Sequence, residues 1–345
     1  VVEQLSARCV PRVSFPRLRA DGSYDSVALS QADVCLPQNP ELNGVAPEEP
    51  MGLYRVVQGE ITLDDFMAQM TDEEMMQVVC GQQPRGVCKV GTMGGNDRLR
   101  IPYVPAADGP AGVRIMPETG VSTTAFPCAT LLACTWSPEL ARKFGEACAK
   151  EVRENNMGIW LAPGMNIHRT PLCGRNFEYL SEDPLVTGVM ASAIVRGAQA
   201  QKVAATPKHF CCNNKEGNRH YSDSRVSERA LREIYLKAFE ICVKTADPWC
   251  LMTSYNLVNG VRPSESGALL EGILRQEWGF VGMIMTDWTN YADQCMELTA
   301  GNDIHMPGHS CNKPYVMECL KSGKLKRADL QACAKRVLEM ILKLA

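Results

Sequence analysis

Hydrophobic and polar positions change rhythm along this chain, and the changes mark its elements. From about residue 62 the pattern alternates between helical and strand-like stretches. Thr71-Asp72-Glu73-Glu74 predicts a helix start. Thr71 can accept from the third amide while Glu74 reaches back, as in a capping box. Ser137-Pro138-Glu139 opens another helix, with Ser at the N-cap and Pro in the first turn. Its apolar positions Leu140, Phe144, Cys148 and Val152 recur every fourth residue and form one buried stripe. A third helix is predicted from Ser227-Glu228 to about Thr245, and a closing one over 328–344. Between them lie short apolar runs at 103–107, 159–162, 203–206, 250–253, 283–286 and, more weakly, 304–306. Most are apolar nearly throughout, as strands covered on both faces should be.

Strands alternating with helices in this way predict an α/β fold. The expected architecture is a (β/α)8 TIM-like barrel with irregular early strands. A doubly wound open sheet is the alternative. Residues 1–58 follow a different pattern. Pro11, Pro16, Pro37, Pro40, Pro47 and Pro50 punctuate them without a helical period, and they read as an extended linker or the remnant of a preceding domain. The barrel is expected over 59–345.

Composition narrows the partners. The chain has 345 residues, 45% hydrophobic and 22% charged, which suits a folded globular protein. With 36 basic against 39 acidic residues the net charge is −3, so nucleic acid is excluded as the expected partner. No apolar window approaches the length of a membrane span. The sixteen cysteines are scattered without a CxxC pair and are expected to be reduced, buried thiols. The start Val1-Val2-Glu3-Gln4 lacks an initiator Met, a basic region and an apolar region. It therefore predicts no signal peptide and a cytoplasmic location. No GxGxxG opens a helix, so no dinucleotide is expected. His305 and His309 have HxxxH spacing, but Pro307-Gly308 lies between them and argues against a helical metal site. Neither a metal nor another cofactor is expected.

In a barrel, reactive groups follow the strands. Asp108-Gly109-Pro110 follows the first run. His168 and then Gly174-Arg175-Asn176-Phe177-Glu178 follow the second. Lys208-His209, Ser254-Tyr255-Asn256 and Asp287-Trp288 follow the next three. Carboxylates, a guanidinium, an ammonium, an imidazole, a phenol and an indole together suit a polyol with one apolar ring face. Read singly, Asp287 fits a helix N-cap, Asp108-Gly109 a turn, and Lys208 a salt-bridged base or a Schiff-base lysine. Glu216 and Asp223 fit a solvated loop or a helix start.

Together these residues resemble a known family. The stretches 208–216 and 223–229, Met252-Thr253-Ser254-Tyr255-Asn256, 274–280 and Thr286-Asp287-Trp288 are similar to glycoside hydrolase family 3. So is Ala300-Gly301-Asn302-Asp303 leading to Met306-Pro307-Gly308. The resemblance covers about residues 60–345 and is nearest the β-glucosidase branch. It implies a retaining, exo-acting β-glycosidase that releases terminal glucose from a β-glucoside or short oligosaccharide. Asp287 would be the nucleophile. Asp108, Arg175, Lys208 and His209 would hold the sugar hydroxyls, and Tyr255 would orient Asp287. Met252 and Trp288 would line the sugar pocket, and Arg114 and Glu178 would support the binding groups. Cationic neighbours are expected to lower the pKa of Asp287. Asp108 favours glucose over xylose, with a β-xylosidase or a β-N-acetylglucosaminidase as alternatives within the family. A catalytically silent carbohydrate-binding barrel is the alternative of another class. One family branch carries its acid in an Asp-His dyad after Lys-His, where this chain has Cys211-Cys212-Asn213-Asn214. The resemblance then implies that the acid/base comes from a companion α/β sandwich domain, or from a second chain. The Pro-rich lead-in fits a relative with reversed domain order.

Overall fold

The computed structural model describes residues 36–44, 47 and 49–345, and the backbone of the strands β1 (Phe15–Leu18) and β2 (Tyr24–Val27). These two strands pair antiparallel. The rest of 1–35 lies outside the described residues, and with it Pro11. Where the lead-in is described, it docks on the last helix (Arg327–Lys343). Asn39 Nδ2 donates to Asp329 (3.0 Å), and Leu42 exchanges two hydrogen bonds with the Gln331 amide (3.0 and 2.8 Å).

The chain is a mixed α/β fold. One sheet has the order β3-β4-β5-β6, made of Thr92–Asn96, Ile101–Ala107, Ile159–Trp160 and Ala204–Ala205. Strand β3 runs antiparallel to β4, while β4, β5 and β6 are parallel. A second, parallel sheet joins β7 (Lys208–Phe210) to β9 (Cys250–Thr253) and β9 to β11 (Met283–Thr286). The short strands β8 (Asp223–Ser224) and β10 (Leu257–Val258) form a separate parallel pair. Strands β6 and β7 belong to one extended run broken at Pro207, which has no N–H to give the ladder. Its carbonyl still accepts from Met252 N (3.1 Å). The parallel strands of both sheets therefore run the same way, and the residues that follow them share one face. Single bridges continue the pattern from Met285 to Ile304, from His305 to Cys80 and from Gln82 to Thr92.

The predicted helices form, one of them with a break. Thr71 and Glu74 form the expected capping box on Asp72–Val78, and Ser137 caps Pro138–Glu154. The helix expected without a break from Ser227 is interrupted. Leu231–Tyr235 is a π turn between Glu228–Ala230 and Lys237–Ala246. The Leu236 amide reaches back five residues to the Leu231 carbonyl (2.8 Å). One extra residue per turn re-phases the apolar stripe, so both Leu231 and Leu236 face the core. Ala268–Glu277 is wound in the same way.

Strand β3 escaped the sequence reading because Met93-Gly94-Gly95 has no alternation. Its glycines are obligatory. Gly94 and Gly95 have φ of 71° and 83°, and a Cβ on Gly95 would sit 2.1 Å from the Tyr103 ring. The expectation of reduced thiols is also corrected at one pair. Cys80 and Cys311 are disulfide-bonded with Cα atoms 6.1 Å apart. The Cys80–His305 bridge brings the two segments together despite a separation of 231 residues. The other cysteines among the described residues are free, and most are buried. Among the described residues, no helix is long and apolar enough to cross a membrane.

Candidate active site

Asp287 directly follows β11, where the strand leaves its ladder. Its amide still bonds back to the Thr253 carbonyl (3.2 Å), which fixes the side chain at the strand end. Oδ1 accepts from the Trp288 amide (2.7 Å). Oδ2 is buried and has no hydrogen-bond partner. Around Oδ2 stand His209 Nε2 at 3.4 Å and Arg175 Nη1 at 4.0 Å. A buried acceptor without a partner costs about 1–3 kcal/mol, so such an atom calls for an explanation.

Arg175 ties the surrounding groups together. It is held by the i,i+3 ion pair of Nε with Glu178, which is itself buried. Its Nη2 lies 2.8 Å from His209 Nε2, and Glu216 comes within 4.0 Å. The guanidinium can only donate, so His209 Nε2 accepts and the ring proton sits on Nδ1. That proton points at the Tyr179 hydroxyl, 3.1 Å away. Burial, with Arg175 and Lys208 adding to it, pushes the His209 pKa well below the usual histidine range, and the ring is neutral. Two acceptor atoms then face each other at 3.4 Å, which is why Asp287 Oδ2 stays unpaired.

Beside this group, Asp108 accepts from Lys208 Nζ (2.8 Å) through Oδ1 and from Arg114 Nη1 (2.9 Å) through Oδ2. Lys208 is almost fully buried, whereas Arg114 is more than half exposed. Burial raises the Asp108 pKa but Lys208 and Arg114 overcome it, and the carboxyl titrates at about 2. Because the folded pKa is depressed, this pair stabilises the fold above about pH 4. That stability is lost as pH falls toward 2. The loss is about 2 kcal/mol. Urea unfolding at pH 6 and pH 2 checks it. Asp108→Asn should lose about 2 kcal/mol less than the parent between those two pH values.

Tyr255 donates to the Trp288 carbonyl (2.5 Å), and Trp288 Nε1 donates to the Val90 carbonyl (2.6 Å). These bonds fix the indole and the phenol in place. The structure thus brings Asp287, Asp108, Arg114, Arg175, Glu178, Lys208, His209, Tyr255 and Trp288 into one polar cluster. Met252 is 1% exposed and belongs, with Met283, Met285 and Met306, to the apolar cluster against which Trp288 packs.

Two further expectations need correction. The Asp287 pKa is raised, not lowered. Burial outweighs Arg175, the Trp288 amide, Lys208 and Tyr255, all of which favour the charged form. Glu216 lies in a loop, one of the two places expected, but is half-buried. It accepts from Asn213 Nδ2 and Arg219 Nη1, both at 3.1 Å. Tyr179 and Asn213 were missed altogether. The Asn213 amide and the His209 ring both reach the buried Tyr179 hydroxyl. Tyr179 directly follows Glu178, but nothing in a lone Tyr distinguishes a buried hydrogen-bonding phenol from a core ring. Among the described residues no three His, Cys, Asp or Glu side chains gather as a metal site requires.

Ionised donors flanking a buried, unpaired carboxylate oxygen suit a neutral polyhydroxylated ligand with an electrophilic carbon. Comparison with known proteins identifies the family. The Glycosyl hydrolase family 3 N terminal domain matches residues 87–340. "Beta-glucosidase A" of Butyrivibrio fibrisolvens is 44% identical over 96% of this chain and 43% of its own length. β-Glucosidase 3B of Thermotoga neapolitana, solved in complex with glucose, superposes with a TM-score of 0.77 at 44% identity, over 80% of this chain and 42% of that one. A β-glucosidase of Paenibacillus barengoltzii gives a TM-score of 0.85 at 36% identity, over 99% of this chain and 41% of that one. The chain spans less than half the length of these relatives. It belongs to glycosyl hydrolase family 3, as a bearer of that family's N-terminal domain.

Proposed function

We propose that this chain is the sugar-binding, nucleophile-bearing part of a retaining, exo-acting β-glucosidase. The unpaired Oδ2 of Asp287 carries the reading. It is the one buried carboxylate oxygen of the cluster without a partner. In the reaction it attacks the anomeric carbon, the glycosidic C–O bond breaks, and the aglycone leaves with a proton from a general acid. A covalent glycosyl ester remains, and water later displaces Asp287 to give the β-sugar. Asp108 and the Nε2 of neutral His209 accept from sugar hydroxyls, while Lys208 and Arg175 donate to their oxygens. Glu178 keeps Arg175 in place. The expected scaffold is a TIM-like barrel. The bridges that lead from β11 through 304–305 and 80–82 to β3 support it.

The acid/base lies in a companion α/β sandwich domain or a second chain. The supporting observation is that Asp108, Glu178 and Glu216 are each bound to a cation, and none is free to protonate a leaving group. Leaving-group dependence tests this assignment. The chain alone should release 2,4-dinitrophenolate, which departs without a proton. It should cleave methyl β-glucoside about 10²–10⁴-fold more slowly than an enzyme with its acid in place. Efficient cleavage of both by the isolated chain would put the acid within residues 1–345.

A further inference from the structure

A second cavity, of about 610 Å³, shares no lining residue with the polar cluster around Asp287. Three cations line it, each from a different segment. Arg169 comes from the loop after β5, Lys215 from the loop after β7, and Arg225 directly follows β8. Asp223 is the one carboxylate among the lining residues, and it is already engaged. It accepts from Arg225 Nη2 (2.6 Å) and from the Gly260 amide (2.9 Å). Arg169 and Lys215 are exposed and have no ion-pair partner among the described residues. In a chain of net charge −3, like charges gathered from separate segments around one concavity repel unless an anion sits between them.

The walls of the cavity are tied to one another. Asn214 is buried, and its Nδ2 donates to the Ile167 carbonyl, which joins the Lys215 loop to the segment before Arg169. Ser224 Oγ donates to the Cys212 carbonyl (3.1 Å) and joins the same loop to β8. This loop therefore works in two directions. Its Asn213 and Glu216 turn to Tyr179 and toward Arg175, while Asn214 and Lys215 line the cavity.

We propose that this cavity is a second ligand site, separate from the sugar site, and that it takes a small phosphate monoester. Arg169 and Lys215 donate to the phosphate oxygens from two sides, and Arg225 closes a third. A phosphate has enough oxygens for donors converging from three segments, whereas a carboxylate has two. The cavity is in the size range of small-molecule sites, so the organic part of a monoester fits beside the phosphate. Held walls reduce the ordering that binding requires. A ligand there braces the loop whose opposite face supports Tyr179 and Arg175.

Calorimetric titration of the full chain with glycerol 3-phosphate tests the site, at an ionic strength held constant with chloride. Saturable binding of one ligand per chain is expected. Arg169→Gln and Lys215→Gln should each raise Kd about tenfold, and the double variant about a hundredfold. Neither side chain has an ion pair to lose, so both variants should keep the parent's urea midpoint. Lys143→Gln removes an exposed ammonium on another element, paired with Glu139 at 2.8 Å, and should bind as the parent does. No saturable binding by the parent would overturn the site, as would equal weakening in Lys143→Gln or unchanged binding in the other two. Binding of inorganic phosphate without binding of glycerol 3-phosphate would overturn the monoester. Glycerol 3-phosphate should not slow inactivation by 2-deoxy-2-fluoro-β-glucosyl fluoride. Protection against that reagent would place the anion against Lys208 and Arg175, and the separate site would fall.

Discussion

Asp287→Ala should lower the rate of 2,4-dinitrophenolate release from the activated glucoside by about 10⁴-fold or more, with little loss of stability. The two effects separate for a structural reason. The carboxylate contributes an unpaired Oδ2 to a buried site. Removing it relieves a cost of about 1–3 kcal/mol, which offsets the small cavity left behind. The Trp288 amide loses its acceptor, while Arg175, which also faces Oδ2, keeps Glu178 and His209 as partners. Glucose binding should persist, since Asp108, Lys208, Arg175 and His209 remain. Calorimetric titration with glucose and urea unfolding check both halves. A carbohydrate-binding barrel without chemistry would show no rate to lose, and a structural Asp287 would lose stability in proportion to activity.

Arg175→Met has the second largest expected effect, and here activity and stability fall together. Glu178 has a 5% exposed side chain paired to Arg175, so the variant leaves a buried charge alone. Breaking such a pair from one side costs about 3–5 kcal/mol. Lysine should not rescue it, because one ammonium cannot serve Glu178, His209 and Glu216 at once. The pH dependence supplies a separate readout. Burial already raises the Asp287 pKa, and Arg175 is the strongest influence opposing it. Without Arg175 the pKa rises further, the nucleophile ionises later, and the acid limb of the inactivation rate moves to higher pH. A limb that stays in place would show that Arg175 does not govern Asp287.

Much of this site was legible because its residues sit directly after strands whose apolar runs are plain. Strands β9 and β11 lie where the sequence put them, and their next residues are Ser254-Tyr255 and Asp287-Trp288. Local signals such as the Thr71 and Ser137 caps were equally readable, since both partners of each bond lie within one turn. What escaped depends on distant partners. Strand β3 is defined by Tyr103 and Ile341 packing against glycines, not by its own pattern. The π turn at Leu231–Tyr235 serves core packing on the facing elements, and the Cys80–Cys311 bond joins segments 231 residues apart in sequence. The Asp287 pKa was misjudged for a related reason. Its cations are visible in the sequence, but the depth of its burial is not.

The central claim is that Asp287 becomes an ester of the sugar. Treatment of the chain with 2-deoxy-2-fluoro-β-glucosyl fluoride, followed by proteolysis and fragment mass spectrometry, tests it most directly. A single fluoroglucosyl adduct on Asp287, absent from Asp287→Ala, is the predicted result. An adduct on Asp108, Glu178 or Glu216, with Asp287 unmodified, would contradict it.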